Sequence, residues 1–306
     1  MSKIIVIGSS NTDMVVKTHK FPVPGETILG GDFFMFSGGK GANQAVAAAR
    51  IGSEVTLICK IGNDIFGQRA LDEYKKEGIS TKYITTDIEK ASGIALILVD
   101  QNAENEIVVA PGANDSLTEK NIQDAQEVIA AADVILLQLE IPVSSVLFAA
   151  KKGFELGTKV ILNPAPAQVL PNELFKYLYL ITPNETEAEM LTGIKVQDNI
   201  TASKAALVLL QLGVQNVIIT MGSQGAFFKN DTTEIMVKAP VVNAVDTTAA
   251  GDVFNGVLAV GITYGQAWKE AIDIACKAAS ISVTRMGAQA SMPYKMELDE
   301  LLKSVI

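Results

Sequence analysis

The chain carries a single histidine, His19, in 306 residues, which excludes histidine-based triads and His-rich zinc sites. His19 lies in Lys17-Thr-His-Lys-Phe-Pro22, and a solvated loop is its expected place. Cysteine is nearly as scarce. Cys59 and Cys276 form no CxxC pair and no disulfide framework, which favours a reducing compartment, and both read as small buried apolar residues. Positive charge is sparse as well. With 25 Lys and Arg against 34 Asp and Glu the net charge is −9, and there is no basic run, so a nucleic-acid partner is disfavoured. No apolar stretch reaches transmembrane length, and Met1-Ser-Lys-Ile-Ile-Val-Ile-Gly8 has too short an apolar run for a signal peptide. No membrane partner is expected, and a cytoplasmic location is. The chain has neither the G-x-x-x-x-G-K-[ST] phosphate loop nor the G-x-G-x-x-G dinucleotide loop.

What is present describes a folded globular protein, 48% hydrophobic and 19% charged. Its length suffices for one large α/β domain or two small ones. Lys3 to Gly8 reads as a buried parallel strand, and Ser9 to Asp13, taken alone, as a turn. Met14 to Lys17 and Asp32 to Phe36 flank a Pro22/Pro24/Gly25 cluster as strands of a small separate sheet, and Ser92 to Asp100 with Glu106 to Ala110 reads as a hairpin about Gln101 to Asn105. From Gly38 the chain turns into an Ala-rich helix ending near Gly52. Glu54 to Lys60 is a strand and Phe66 to Gly78 a helix. From Leu117 a regular βα rhythm sets in: a helix to Ala132, a strand over 133–139, a helix over 143–157 and a strand over 158–163. Such alternation predicts a parallel sheet covered on both faces. Apolar positions 253, 257 and 258 mark one late helix, and 268, 272, 275, 279 and 283 stripe the next; Trp268 is read as core packing.

The chemistry is concentrated in Asn243-Ala-Val-Asp-Thr-Thr-Ala-Ala-Gly-Asp-Val-Phe-Asn-Gly256, where a run of short strands gives way to an apolar helix. Thr247 and Thr248 are N-cap candidates, and Gly251 keeps the backbone uncrowded. The amides of Ala249, Ala250, Gly251 and Asp252 would then be unpaired donors at the positive end of the helix dipole, a site suited to phosphate. Asp252 beside such a site would repel phosphate unless it had another task, and accepting the proton of an attacking hydroxyl fits. An ordinary capped helix with a surface Asp is the alternative that local physics leaves open.

Asp246-Thr-Thr-Ala-Ala-Gly-Asp252 resembles the C-terminal signature of the ribokinase (PfkB-type) family of carbohydrate kinases, and Ser37-Gly-Gly-Lys-Gly-Ala-Asn-Gln-Ala-Val-Ala-Ala-Ala-Arg50 resembles its N-terminal signature. The likeness runs from Ile4 to about Pro293. It implies a single kinase domain over 1–306, a three-layer α/β/α fold with a mainly parallel central sheet. A small β-sheet lid, with strands within roughly 12–37 and 92–112, would also mate two subunits as a homodimer. It implies an ATP-dependent sugar kinase phosphorylating ribose at its 5-hydroxyl, with Asp252 as base and an anion hole over 249–252. Asn11, Thr12, Asp13, Gly39, Lys40, Gly41, Ala42, Asn43 and Glu140 would hold the sugar, the two glycines before Lys40 letting the backbone approach it. Asn184, Thr220, Met221, Gly222, Ser223, Gln224, Gly225 and, on the adenine side, Cys276 would meet ATP.

The same resemblance implies two ions. Asn184 and Glu187, which match the family's Asn-x-x-Glu and equally read as a capping box, would hold magnesium through water. Asp246 and Thr248 with Ser282, Arg285, Gly287 and Ser291 would enclose an activating potassium ion. The family commonly has glycine where this chain has Ala250, and an alanine amide donates equally well. Asn163-Pro-Ala-Pro-Ala167 and Val283-Thr-Arg-Met-Gly-Ala-Gln289 favour ribose within the family. Fructose, ketodeoxygluconate or a nucleoside is the alternative substrate, and a non-catalytic sugar or nucleotide sensor the reading from another class.

Overall fold

The computed structural model of the protein describes residues 2–102 and 104–303; Met1, residues 304–306 and Ala103, within the expected hairpin turn, lie outside the described residues. In chain order the elements are β1 (Lys3–Ile7), β2 (Asn11–Lys17), β3 (Phe33–Gly38), α1 (Lys40–Arg50), β4 (Glu54–Gly62), α2 (Ile65–Lys76), β5 (Ser80–Asp87), β6 (Gly93–Val99) and β7 (Asn105–Ala110). There follow α3 (Glu119–Gln123), α4 (Gln126–Ala130), β8 (Val134–Leu137), α5 (Val143–Glu155), β9 (Lys159–Leu162), α6 (Asn172–Phe175), β10 (Leu180–Ile181), α7 (Glu185–Thr192), α8 (Asn199–Gln211), β11 (Asn216–Thr220), β12 (Ala226–Lys229), β13 (Glu234–Val237), α9 (Ala250–Thr263), α10 (Trp268–Ser282) and α11 (Lys295–Lys303).

Nine strands form the central sheet in the order β13-β12-β11-β10-β9-β8-β1-β4-β5, all running one way except β12, which is antiparallel to both its neighbours. The layering follows from period-two alternation. On β1, Ile4 and Val6 enter an apolar cluster with the faces of α1, α9 and α10, whereas Ile5 and Ile7 enter one with α5 and α8. Both faces of the strand are thus covered, which explains its unbroken apolar run. Trp268 packs on Phe228, with ring centroids 4.4 Å apart, and lies 6.0 Å from Tyr179. Cys59 and Cys276 are buried free thiols, and His19 is exposed.

β3, β2, β6 and β7 form a second sheet of four strands. Its register sets Asp13, Ala95 and Val109 side by side on one face.

Several expectations are corrected. Ser9 to Asp13 is not a turn: β2 begins at Asn11, so Asn11 and Asp13 share a strand face. The helix expected to run to Ala132 is broken into α3 and α4. The short strands β11 to β13 do precede α9, but residues 238–249 between β13 and α9 form neither helix nor strand. β5 and β13 carry no clear apolar pattern; both are largely half-buried edge strands in which Thr, Lys and Glu fill the solvent face.

Candidate active site

β1 neighbours both β8 and β4, so the chain runs away from it in opposite directions across the sheet. In open α/β sheets a crevice forms at such a switch point, beyond the carboxyl ends of the strands. Here those ends deliver Ser9 to Asn11 from one strand and Gln138 to Glu140 from the next. Glu140 Oε2 accepts from Ser9 Oγ at 2.5 Å and from the Lys40 amide at 2.9 Å, pinning the start of α1 to the end of β8. Asn11 Oδ1 accepts from Asn114 Nδ2 at 2.7 Å. That bond leaves the Asn11 amide NH2 as the group available to a ligand.

The two glycines before Lys40 have a structural role within the protein itself. A Cβ on Gly38 would lie 2.2 Å from the Asp13 carboxylate, and one on Gly39, whose φ is 89°, would lie 2.6 Å from the Asn11 amide. They make room for the protein's own strand and for Asp13. Gly41 and Ala42 are buried behind them, and Thr12 is buried on β2 with its backbone paired to Ser37 and Ile94.

Asp252 stands on the first turn of α9 and is 5% exposed. Its Oδ2 accepts from Asn43 Nδ2 at 2.9 Å and its Oδ1 from Gln44 Nε2 at 3.1 Å. α9 comes this close to α1 because Gly256 has no side chain; a Cβ there would be 2.7 Å from both Ala47 Cβ and the Gln44 carbonyl oxygen. Burial pushes the Asp252 carboxyl up, against the pull of Lys40 and the two amide donors. Burial, reinforced by Glu140 and Asp252, likewise raises the Asp13 carboxyl to about 7. Burial alone would lower the Lys40 ammonium, but Asp252, Glu140, Glu187 and Asp13 around it prevail and hold it above its ordinary value. Lys40 is therefore a firmly charged cation among four carboxylates.

The helix start differs from expectation in two respects. Neither Thr247 nor Thr248 caps α9: the N-cap residue is Ala249, with φ 60° and ψ 10°, and it makes no side-chain capping bond. The Ala250 amide is already bonded to the Thr247 carbonyl at 3.3 Å. The first-turn amides of Gly251 and Asp252 face no acceptor within the helix and remain the donors offered to an anion. A Cβ on Gly251 would point into open space. The left-handed conformation that favours glycine falls on Ala249, not on Ala250.

Beside this helix start lies a cleft of 540 Å³ bounded by Lys40, Asn184, Glu187, Thr220, Gly222, Ser223, Gly225 and the 249–252 turn, with Val241, Val242, Phe254 and Cys276 on its apolar side. Two expected nucleotide residues stand apart from its walls. Met221 packs its side chain into the core, and Gln224 is exposed on the turn between β11 and β12. Cys276 is nearly buried, and burial pushes its thiol up to about 12, so it serves as cleft wall rather than as a nucleophile.

Asn184 and Glu187 form a complete capping box on α7: Glu187 N donates to Asn184 Oδ1 at 2.8 Å and Asn184 N to Glu187 Oε2 at 2.9 Å, with Asn184 Nδ2 on Oε1 at 3.0 Å. Glu187 nonetheless borders the cleft, its carboxyl raised by burial. Among the described residues no group of three or more His, Cys, Asp or Glu is placed to hold a metal directly. Asp246 bridges the two loops expected around a cation, its Oδ1 accepting from Thr248 N at 2.9 Å and Oδ2 from Gly287 N at 2.8 Å. Ser282 Oγ donates to the Ala279 carbonyl and Ser291 Oγ to the Ala288 carbonyl, and Arg285 pairs with Glu297 at 2.5 Å. Arg285 thus has only its main-chain carbonyl to offer. The remaining donors are hard oxygens, a set that fits an alkali cation.

The sequence reading gave no site role to Gln44, Gln138, Asn163 or Asn114, all buried polar residues around the site. Gln138 had a visible signal, a glutamine at an inward position of the apolar run Leu136-Leu-Gln-Leu139. Gln44 lay inside the N-terminal signature, next to Asn43.

A family model described as pfkB family carbohydrate kinase matches residues 1–295. A ribokinase of Haemophilus influenzae is 44% identical over 98% of this chain and 98% of its own length. Among solved structures, the ribokinase of Thermotoga maritima aligns with a TM-score of 0.91 at 40% identity over 99% of this chain and 100% of its own. The Arabidopsis thaliana ribokinase complexed with ribose and ATP aligns with a TM-score of 0.94 at 32% identity over 99% of each chain.

Proposed function

The chain belongs to the pfkB family of carbohydrate kinases, and from that premise we propose that it transfers the γ-phosphoryl group of ATP to the 5-hydroxyl of D-ribose, giving D-ribose 5-phosphate and ADP. The observation that carries this reading is the position of Asp252: a buried carboxylate on the first turn of α9, beside two free amides and at the edge of the cleft. In the transfer the 5-oxygen forms its bond to the γ-phosphorus while the bond to the β,γ-bridging oxygen breaks, its electron pair leaving with ADP, and Asp252 takes the hydroxyl proton. The Gly251 and Asp252 amides meet the charge on the transferred group. Asn11, Asp13, Gly39, Lys40, Asn43 and Glu140 surround the sugar; Asn184, Thr220, Gly222, Ser223 and Gly225 face the nucleotide.

Two ions belong to this reading. Glu187 and Asn184 would hold magnesium through water, and the ion would supply positive charge against the phosphates. Potassium would lie between Asp246, Thr248 and the 282–291 loop, adding positive charge near the anion hole. Residues 1–306 act as one kinase unit whose second sheet serves as lid and as homodimer interface. Supporting the latter, Phe33, Leu96, Ile107, Val108 and Val109 are 44–66% exposed on that sheet. The free thiols are in keeping with work in the cytoplasm, and among the described residues no helix is long and apolar enough to cross a membrane. Sedimentation velocity should give twice the 32.5 kDa chain mass; a monomer at micromolar concentration would rule the interface out.

The test of substrate is ADP release from Mg·ATP with ribose, 2-deoxyribose, fructose, ketodeoxygluconate and adenosine, each with and without potassium. Ribose is expected to turn over fastest, and faster with potassium. Preference for another sugar would overturn the roles given to Asn11, Asp13 and Glu140. Binding without turnover on every sugar would make the protein a sensor.

A further inference from the structure

Behind Asp252 lies a chain of side-chain amides that the reaction as described does not use. Gln44 is wholly buried on α1. Its Nε2 donates to Asp252 Oδ1 and to Asn163 Oδ1, both at 3.1 Å, and its Oε1 accepts from Gln138 Nε2 at 2.6 Å. Gln138 is also wholly buried, just past the end of β8, and its own Oε1 has no hydrogen-bond partner. That oxygen is wedged against Gly8, where a Cβ would come within 2.1 Å of it. Leaving a buried carbonyl oxygen unpaired costs on the order of 1–3 kcal/mol, and a hydrocarbon side chain of similar size would avoid that cost. Gln138 does gain one thing from its amide: it fixes which end of Gln44 faces Asp252. With Oε1 occupied by Gln138, Gln44 can present only N–H to the carboxylate.

We infer that Gln44, locked in orientation by Gln138, is a positioning residue for the proton transfer, holding Asp252 Oδ1 as a hydrogen-bond acceptor so that the substrate's proton is taken on Oδ2. A proton on Oδ1 would face the Gln44 N–H and lose its bond to Gln44. Oδ2, on the Asn43 side, carries no such restriction, because Asn43 Oδ1 is itself buried and unpartnered and the Asn43 amide can turn to accept from a protonated Oδ2. The inference rests on Asp252 being the base.

The experiment follows kcat against pH at saturating ribose and Mg·ATP, so that the acid limb reports the sugar-bound enzyme. Charged groups that also act on Asp252 or share its field are Lys40 on α1, Asp13 on β2, Glu140 after β8 and Glu187 on α7; none is altered. In Gln44→Met, close in volume to the native residue, kcat is expected to fall about 10- to 100-fold with the ribose KM within about threefold, and the acid limb to move up by about one pH unit, as loss of a hydrogen bond to the ionised form requires. Gln138→Met should move the limb the same way by less, and the double variant should be no worse than Gln44→Met, because the two act as one unit. An unmoved acid limb in both single variants, with only a lowered Tm, would overturn the inference and leave both glutamines as packing. Should Gln44→Met fail to fold, Gln138→Met decides in the same way. Asp252→Asn separates this failure from that of the underlying reading: if it turns over normally, the base itself is misassigned.

Discussion

Asn11 and Asp13 stand on a strand, and their positions follow from a ladder that pairs Asn11 with Gly93 and Asp13 with Ala95, with Asn114 locking the Asn11 amide. Across the cleft, Val241 and Val242 belong to residues 238–249, which form no helix or strand, and Val241 is fully exposed. The side proposed for the sugar is thus held by hydrogen bonds within the protein, at the cost of crowding Asp13, Glu140 and Asp252 around Lys40. The nucleotide side has a few fixed turns, the capping box and the turn after β11, with an apolar loop as its outer wall. A small, hydroxyl-rich substrate needs donors and acceptors set in advance, because a misplaced buried polar group is costly. An adenine ring, bound through apolar area, tolerates a wall that adapts.

The largest effect that separates the two sides is expected from Asp13→Asn. Loss of a charged acceptor should raise the ribose KM on the order of 100-fold, with the ATP KM changed less than about threefold. Its stability effect has the opposite sign. The Asp13 carboxyl titrates about 7 in the fold against 3.8 for an ordinary Asp, so as pH rises through that interval the unfolded chain ionises first and the native protein loses stability. Asp13→Asn should therefore be more stable than the wild type at pH 8, by up to about 4 kcal/mol, and the advantage should vanish below about pH 4. Equal melting temperatures at both pH values would show that the acidic crowding is not strained. A smaller effect is expected from replacing Val241 and Val242 together by serine, which removes apolar wall worth about 1 kcal/mol and should raise the ATP KM about fivefold while leaving the ribose KM alone. A matching rise in both constants would mean that the two sides are not independently built.

The same contrast explains what could be read from the sequence. The βα alternation and the turns around Gly38 to Asn43 were legible because apolar period and glycine placement are local properties. So were the capping box at Asn184 and Glu187 and the nearness of Asp246 to the 282–291 loop, the latter through family likeness. The backbone of Ala249 was not: an N-cap in the left-handed region is set by how 238–249 packs, and Thr247-Thr248 offered a more ordinary cap that the structure leaves unused. Nor were Gln44, Gln138 and Asn163. Each meets partners far off in the chain, and a buried glutamine in an apolar strand shows that something must satisfy it without showing what. The strand over Asn11 to Asp13 was hidden by a Ser-Ser-Asn-Thr-Asp composition typical of turns, overridden by pairing with β3 and β6 on both sides.

The most direct test of the account is the single-turnover rate of Asp252→Asn with ribose and Mg·ATP, measured on protein whose melting and ribose binding have been checked. The account predicts a folded, ribose-binding protein whose phosphoryl transfer is slower by about two to four orders of magnitude. A rate within tenfold of the wild type would contradict it, because the carboxylate around which α1, α9 and the amide chain are arranged would then not be the group that takes the proton.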